Sequence, residues 1–147
     1  MQAGEVRDLE AGFEYSIVSD EAVVVSGRVR CWKCGAGVEV ICLYCQTGLV
    51  LGRPLLHFSV SNVTALDERL RAQLARWPQF RLARRGPGAG NLYLNHCPDC
   101  GISQDDFFLH CQPEGVFFSF DDRRAAKLAV TALRGLVRLS GDEGFGP

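Results

Sequence analysis

Two stretches decide how this chain folds: CWKCG at residues 31–35 and NHCPDCG at residues 95–101. Each holds two cysteines two residues apart with a glycine directly after the second, so that Cys31, Cys34 and Gly35 match Cys97, Cys100 and Gly101. A CxxC turn sets two thiolates on one side of a tight loop, where backbone N–H groups can donate to the sulfurs. Two such turns facing each other make the tetrahedral four-sulfur site that structural zinc prefers. The residue after the second cysteine needs a left-handed backbone, which glycine adopts without strain. The expected metal ligands are therefore Cys31, Cys34, Cys97 and Cys100, and the expected ion is Zn2+.

A third pair, Cys42 and Cys45, lies in VEVICLYCQTG (residues 38–48), and Cys111 stands alone. Cys45 is followed by Gln46 rather than glycine, and only seven residues separate Cys34 from Cys42, a cramped hairpin. Sixty-two residues separate Cys34 from Cys97. Loop closure grows only logarithmically, so the remote pairing costs about 2 kcal/mol more than the near one. A structural zinc site contributes roughly 10–16 kcal/mol, which easily covers that difference. Cys42 and Cys45 read either as buried thiols continuing the apolar run VEVI or as ligands of a second metal with His57, His110 or Cys111. A thioredoxin-like redox pair needs a helix after its first thiol, and QTGLVLG does not read as one. His57 reads as a half-buried strand histidine and Cys111 as a buried thiol.

The chain has 147 residues, 47% hydrophobic and 22% charged, with a net charge of −1. That is an ordinary globular composition for one domain, residues 1–147, and it excludes a disordered tail or a collagen-like repeat. Residues 1–12 are expected to fray. Near-neutral charge gives no general field toward nucleic acid or membrane. The acidic start, with Glu5, Asp8, Glu10 and Glu14 against Arg7, reads as neither a secretory signal nor a transit peptide. No apolar run is long enough to span a bilayer. The expected compartment is the reducing cytosol, where cysteines serve metal or chemistry rather than structural disulfides.

From Glu21 to Gly48 the text is β-branched and punctuated by Gly27, Gly35 and Gly37, which reads as strand. Residues 49–63 read as one or two further strands broken by Gly52 and Pro54. Thr64 and Asp67 resemble a capping box opening a helix over 65–77, with Leu66, Leu70, Leu74 and Trp77 on one face and Pro78 as the stop. Residues 84–91 read as a Gly-rich loop, 103–111 as a short helical turn or a strand, and 115–120 as a strand. A second helix is expected over 122–139, with Ala126, Ala129, Val130, Leu133, Leu136 and Val137 as its apolar stripe and Gly141 as its end. The expected fold is α+β: a small β-rich core, a split zinc-ribbon-like four-cysteine site and two packed helices.

Four thiolates fill a zinc ion's coordination sphere, which points to a structural metal and a non-enzymatic module that binds another protein. The charges are polarised, −5 over residues 1–21 and +6 over 69–85, a feature that steers protein association. By analogy, a small module of this kind could adapt or inhibit a specific partner, such as a toxin. Two alternatives stand beside this one. Arg69, Arg71, Arg76, Arg81, Arg84 and Arg85, interleaved with Trp77 and Phe80, could hold phosphates and stack bases. His96, with Asp105 or Asp106, could serve a metal-dependent nuclease or hydrolase, although H-E-x-x-H and the zinc-deaminase signature are absent.

CWKCG (31–35), CLYCQTG (42–48) and NHCPDCGISQDDFFLH (95–110) together resemble a group of small bacterial zinc-ribbon-like proteins. The pattern of that group is CWKCG followed by NHCPxCGxxQGDFFLH. The resemblance covers about residues 28–120 and implies a metal site split across the chain on Cys31, Cys34, Cys97 and Cys100. It implies no activity. Asp105 stands where the group more often has glycine.

Overall fold

The structure, a computed structural model, describes residues 14–83, 90–111, 116–117 and 128–145. Among these, the chain runs through β1 (Ile17–Ser19), β2 (Ala22–Arg30), β3 (Gly37–Val50), β4 (Arg53–Leu66), α1 (Glu68–Leu74), β5 (Phe80–Ala83), β6 (Leu92–His96), β7 (Ser103–Gln104), α2 (Asp106–Cys111), β8 (Ala129–Ala132) and β9 (Val137–Phe145). The nine strands belong to one sheet, with every strand pair antiparallel. β3 pairs with β4, β4 with β9, β9 with β1, and β1 back with β3, so four strands close a ring. Ring closure removes the open edges that these strands would otherwise present.

Strands β2 and β3 form a long hairpin in register from Ala22↔Cys45 to Arg30↔Gly37. Successive side chains of a strand point to opposite faces, and here both faces are buried, which is why VVV and VEVICLYC read as nearly continuous apolar runs. On one side Ile41, Leu43 and Cys45 join Phe58, Val60, Leu70, Trp77 and Leu139. On the other, Val38, Val40 and Cys42 join Cys31, Cys97, Leu109 and Phe117.

The expected α+β architecture with two packed helices is overturned. Two helices stand among the described residues, α1 of seven residues and α2 of six. Neither is long and apolar enough to cross a membrane. α1 starts later than expected because Thr64 is still part of β4 and the cap is Asp67, whose Oδ1 accepts from the Leu70 N–H at 2.8 Å. It ends at Leu74, short of Trp77, although Leu66, Leu70, Leu74 and Trp77 do share the core. The helix expected over 122–139 is replaced in its described part by strands. β8 pairs with β2, and β9 lies between β1 and β4. Val130 and Leu136 of the expected stripe are exposed, and Gly135 at φ +68° breaks any helix through that point. Val137 and Leu139 are buried with Arg138 outside, a period of two. Of the strand expected over 115–120, Val116 and Phe117 lie in a turn, and the expectations for 1–12, 84–89, 115, 118–120 and 121–127 lie outside the described residues.

Gly141 does not end a helix; it lies inside β9 against β4. A Cβ there would meet Val60 Cγ1 at 2.8 Å and the Ser61 carbonyl at 2.9 Å. Gly141→Ala should therefore destabilise the chain by about 1–3 kcal/mol, as overpacking does, measured as a lowered urea midpoint with unchanged slope.

Candidate metal centre

Both CxxCG stretches are six-residue hairpin loops. Residues 31–36 connect β2 to β3 beyond the Arg30↔Gly37 pair, and residues 97–102 connect β6 to β7 beyond His96↔Ser103. The two loops are bonded alike. The Cys31 N–H donates to the Ala36 carbonyl at 2.8 Å and the Cys97 N–H to that of Ile102 at 2.9 Å. The Gly35 N–H donates to the Cys31 carbonyl and the Gly101 N–H to that of Cys97, each at 2.9 Å. Gly35 and Gly101 sit at φ +78° and +79°, the left-handed region that the sequence reading requires of them.

The loops face each other. The Sγ atoms of Cys31, Cys34, Cys97 and Cys100 all lie within 4.8 Å of one another. Cys31 and Cys100 are 3.6 Å apart, as are Cys34 and Cys97. Sulfurs bound to a tetrahedral zinc at about 2.3 Å stand about 3.8 Å from each other, whereas a disulfide closes to about 2.05 Å. The four thiols are therefore placed as a group that can hold a metal ion. Cys31 and Cys97 are buried, Cys34 and Cys100 exposed.

Electrostatics favour a cation at this junction. Burial pushes the Cys31 thiol up, but hydrogen bonds from the backbone of Cys34 and Lys33 and from the Gln104 side chain outweigh it and bring it down to about 6. Cys34 moves the other way: the backbone at Ala36 lowers it, yet burial and the sulfurs of Cys97, Cys100 and Cys31 together push it to about 12. One thiolate forms readily and the next is resisted, so four thiolates side by side would need a positive ion among them.

The residues around the ligands explain the rest of the second motif. The side chain of Asn95, fully buried, behaves like a strand partner of Ile41: its Oδ1 accepts from the Ile41 N–H at 2.8 Å and its Nδ2 donates to the Ile41 carbonyl at 2.9 Å. That pair ties β6 to β3 and sets the height at which Cys97 meets Cys31. Gln104 donates from Nε2 to Cys31 Sγ at 3.5 Å. Trp32, on the opposite loop and 66% exposed, donates from Nε1 to the Ser103 carbonyl at 3.0 Å. Asn95, Gln104 and Trp32 are supporting residues that the sequence reading missed; their only signal was their place beside the cysteines.

His96, the candidate for hydrolase chemistry, packs beside the loop. It is buried, with Nδ1 2.8 Å from the Leu94 carbonyl and 3.2 Å from that of Gln79. Burial lowers its basicity, and it stands outside the four-thiol group. Cys42 and Cys45 do not converge, because three residues along a strand reverse the facing; Cys42 lies in one buried cluster and Cys45 in the other. Burial pushes both thiols up, Cys45 to about 11. His57 is exposed rather than half-buried, and Cys111 is exposed rather than buried. Of the basic segment, Arg71 donates to the Leu66 carbonyl, Arg76 lies 4.7 Å over the Trp77 ring and Arg69 covers Gly135. Arg84 and Arg85 lie outside the described residues.

Asp106 opens α2 and is buried, accepting from the Asn62 N–H at 2.8 Å. Burial, with Asp105 nearby, pushes its carboxyl up to about 6 against that hydrogen bond. The folded chain therefore holds this proton more tightly than the unfolded one. The contribution is complete below the ordinary value of 3.8 and is lost as pH rises through about 6. Asp106→Asn should leave stability unchanged near pH 4 and raise it at pH 7.5 by on the order of 2 kcal/mol, read from urea curves at both pH values. Cys31→Ser or Cys97→Ser should abolish metal retention and broaden or abolish the thermal transition. Cys111→Ser should change neither metal content nor Tm, and Cys42→Ser should lower Tm while leaving the metal bound. No family model, no curated protein and no solved structure matches this chain.

Proposed function

We propose that the chain is a zinc-stabilised, non-enzymatic β-domain of a reducing compartment such as the cytosol, and that its working surface engages another protein as an adaptor or inhibitor. The observation that carries this reading is the donor set: four thiols and no histidine or carboxylate in the group. Such a set closes the coordination sphere of zinc and favours it over harder ions.

Two surface features support a protein partner. Trp32 is exposed beside the centre, and Leu49, Leu51 and Leu56 are exposed around the β3–β4 turn. Exposed aromatic and aliphatic groups of this kind mark association surfaces. The nucleic-acid reading is weaker, because Arg69, Arg71 and Arg76 are engaged with the chain's own groups. The hydrolase reading is weaker too, since His96 turns Nδ1 to two backbone carbonyls.

Metal analysis of the purified chain should find one equivalent of zinc, and cobalt substitution should give the sulfur-to-metal charge-transfer bands of a four-thiolate site. Less than half an equivalent with the fold intact would overturn the structural role. Affinity capture from the native host, with the parent and with Trp32→Ala and Arg81→Glu variants, should recover a stoichiometric protein. Recovery of nucleic acid alone, lost in the Arg81→Glu variant and at high salt, would instead favour the nucleic-acid reading.

A further inference from the structure

The four thiols differ in what can reach them. Cys34 and Cys100 are exposed, whereas Cys31 and Cys97 are buried. Each exposed sulfur has a buried sulfur of the opposite loop 3.6 Å away: Cys97 for Cys34, and Cys31 for Cys100. An oxidant arriving from solvent meets one member of each pair first, with a second thiol already within reach across the junction. The remaining cysteines offer no such partner: Cys42 and Cys45 point to opposite faces of β3, and Cys111 lies outside the four-thiol group.

We propose that Cys34–Cys97 and Cys31–Cys100 form a modification site for two-electron oxidants of the peroxide class, in which two cross-loop disulfides replace the metal as the tie between the β2–β3 and β6–β7 hairpins. The proposal rests on the metal reading above. The exposed sulfur, ionised as a metal ligand, attacks a peroxide oxygen. The O–O bond breaks, hydroxide leaves and is protonated to water, and the sulfur becomes a sulfenic acid. The facing thiolate then attacks that sulfur; the S–O bond breaks, a second hydroxide leaves and is protonated, and the S–S bond forms. Forming each disulfide gives up two electrons, takes up two protons and reduces one peroxide to two waters. The metal ion leaves to solvent as its ligands are consumed.

Cross-loop linkage matters for what survives oxidation. A disulfide within one loop, Cys31–Cys34 or Cys97–Cys100, would leave the two hairpins untied once the metal has gone. Disulfides between loops keep β7 and the 97–102 turn seated on the 31–36 turn, because each joins positions distant in sequence. The oxidised chain then remains folded, with Trp32 still beside Ser103.

The test uses the zinc-loaded full chain carrying Cys111→Ser, which removes the one exposed thiol outside the group. Hydrogen peroxide is titrated while zinc release is followed with a chromogenic chelator and free thiols are counted after denaturation. Trypsin cleavage after Lys33 and Asp-N cleavage before Asp99 put the four ligand cysteines on separate peptides, and fragmentation of the peptide that begins at Cys34 tells Cys34 from Cys42 and Cys45, so that tandem mass spectrometry reads the linkages. The expected result is release of one equivalent of zinc, loss of four of the six thiols, linkages Cys34–Cys97 and Cys31–Cys100, and a retained cooperative melt; dithiothreitol with zinc then restores the starting state. Linkages within a loop, linkages to Cys42 or Cys45, or loss of the melt on oxidation would overturn the proposal. A chain that takes up no zinc overturns the metal reading instead, and the peptide map of that metal-free chain still decides the pairing.

Discussion

Two hairpin turns far apart in sequence, 31–36 and 97–102, have to be held face to face, and four sulfurs within 4.8 Å of one another are the means. The constraint reaches outward along both hairpins. β2 and β3 extend from the first turn through nine paired positions, so placing that turn also places the strands whose two faces carry the two buried clusters. β6 and β7 extend from the second, and Asn95 fastens β6 to Ile41 in the middle of β3. The four-thiol group is thus a junction between two pieces of sheet, with β4 bridging to both through its pairings with β3 and with β6.

The closed ring of β1, β3, β4 and β9 gives the other half of the structure a different logic. There the sheet is tied by hydrogen bonds and apolar burial alone, around Ile17, Leu43, Phe58, Val60 and Leu139. α1 caps this cluster with Leu70 and Leu74, and the Asp67 side chain accepts from its Leu70 N–H. The chain accordingly has one cluster that stands on burial and another, around Cys31, Cys97, Leu109 and Phe117, that contains half the thiols of the centre. Removal of a metal held by that group should be felt first in the second cluster, which contains two of its four thiols.

A tryptophan stands at the lip of the four-sulfur group. Trp32 reaches across the junction to Ser103 with its indole N–H while most of its ring stays in solvent. A partner covering Trp32 would bear on both loops at once, so the state of the thiols and the shape of that surface are physically linked.

The junction is written locally in the chain. Cysteine spacing and the glycine after each pair are short-range requirements: a tight loop with N–H groups on the sulfurs needs those residue types at those offsets, so Cys31, Cys34, Cys97 and Cys100 were legible without a fold. The strands from Ala22 to Val50 were legible for a similar reason, since β-branched runs and glycine turns act over a few residues. Whatever depends on a distant neighbour was settled by the fold instead. Residues 129–139 carry spacing compatible with a helix and with alternation; pairing with β2, β1 and β4, together with the left-handed Gly135, selects strand. The same holds for Cys42 and Cys45, where a CxxC spacing that suits a loop falls inside a strand, and strand geometry turns the two thiols to opposite faces.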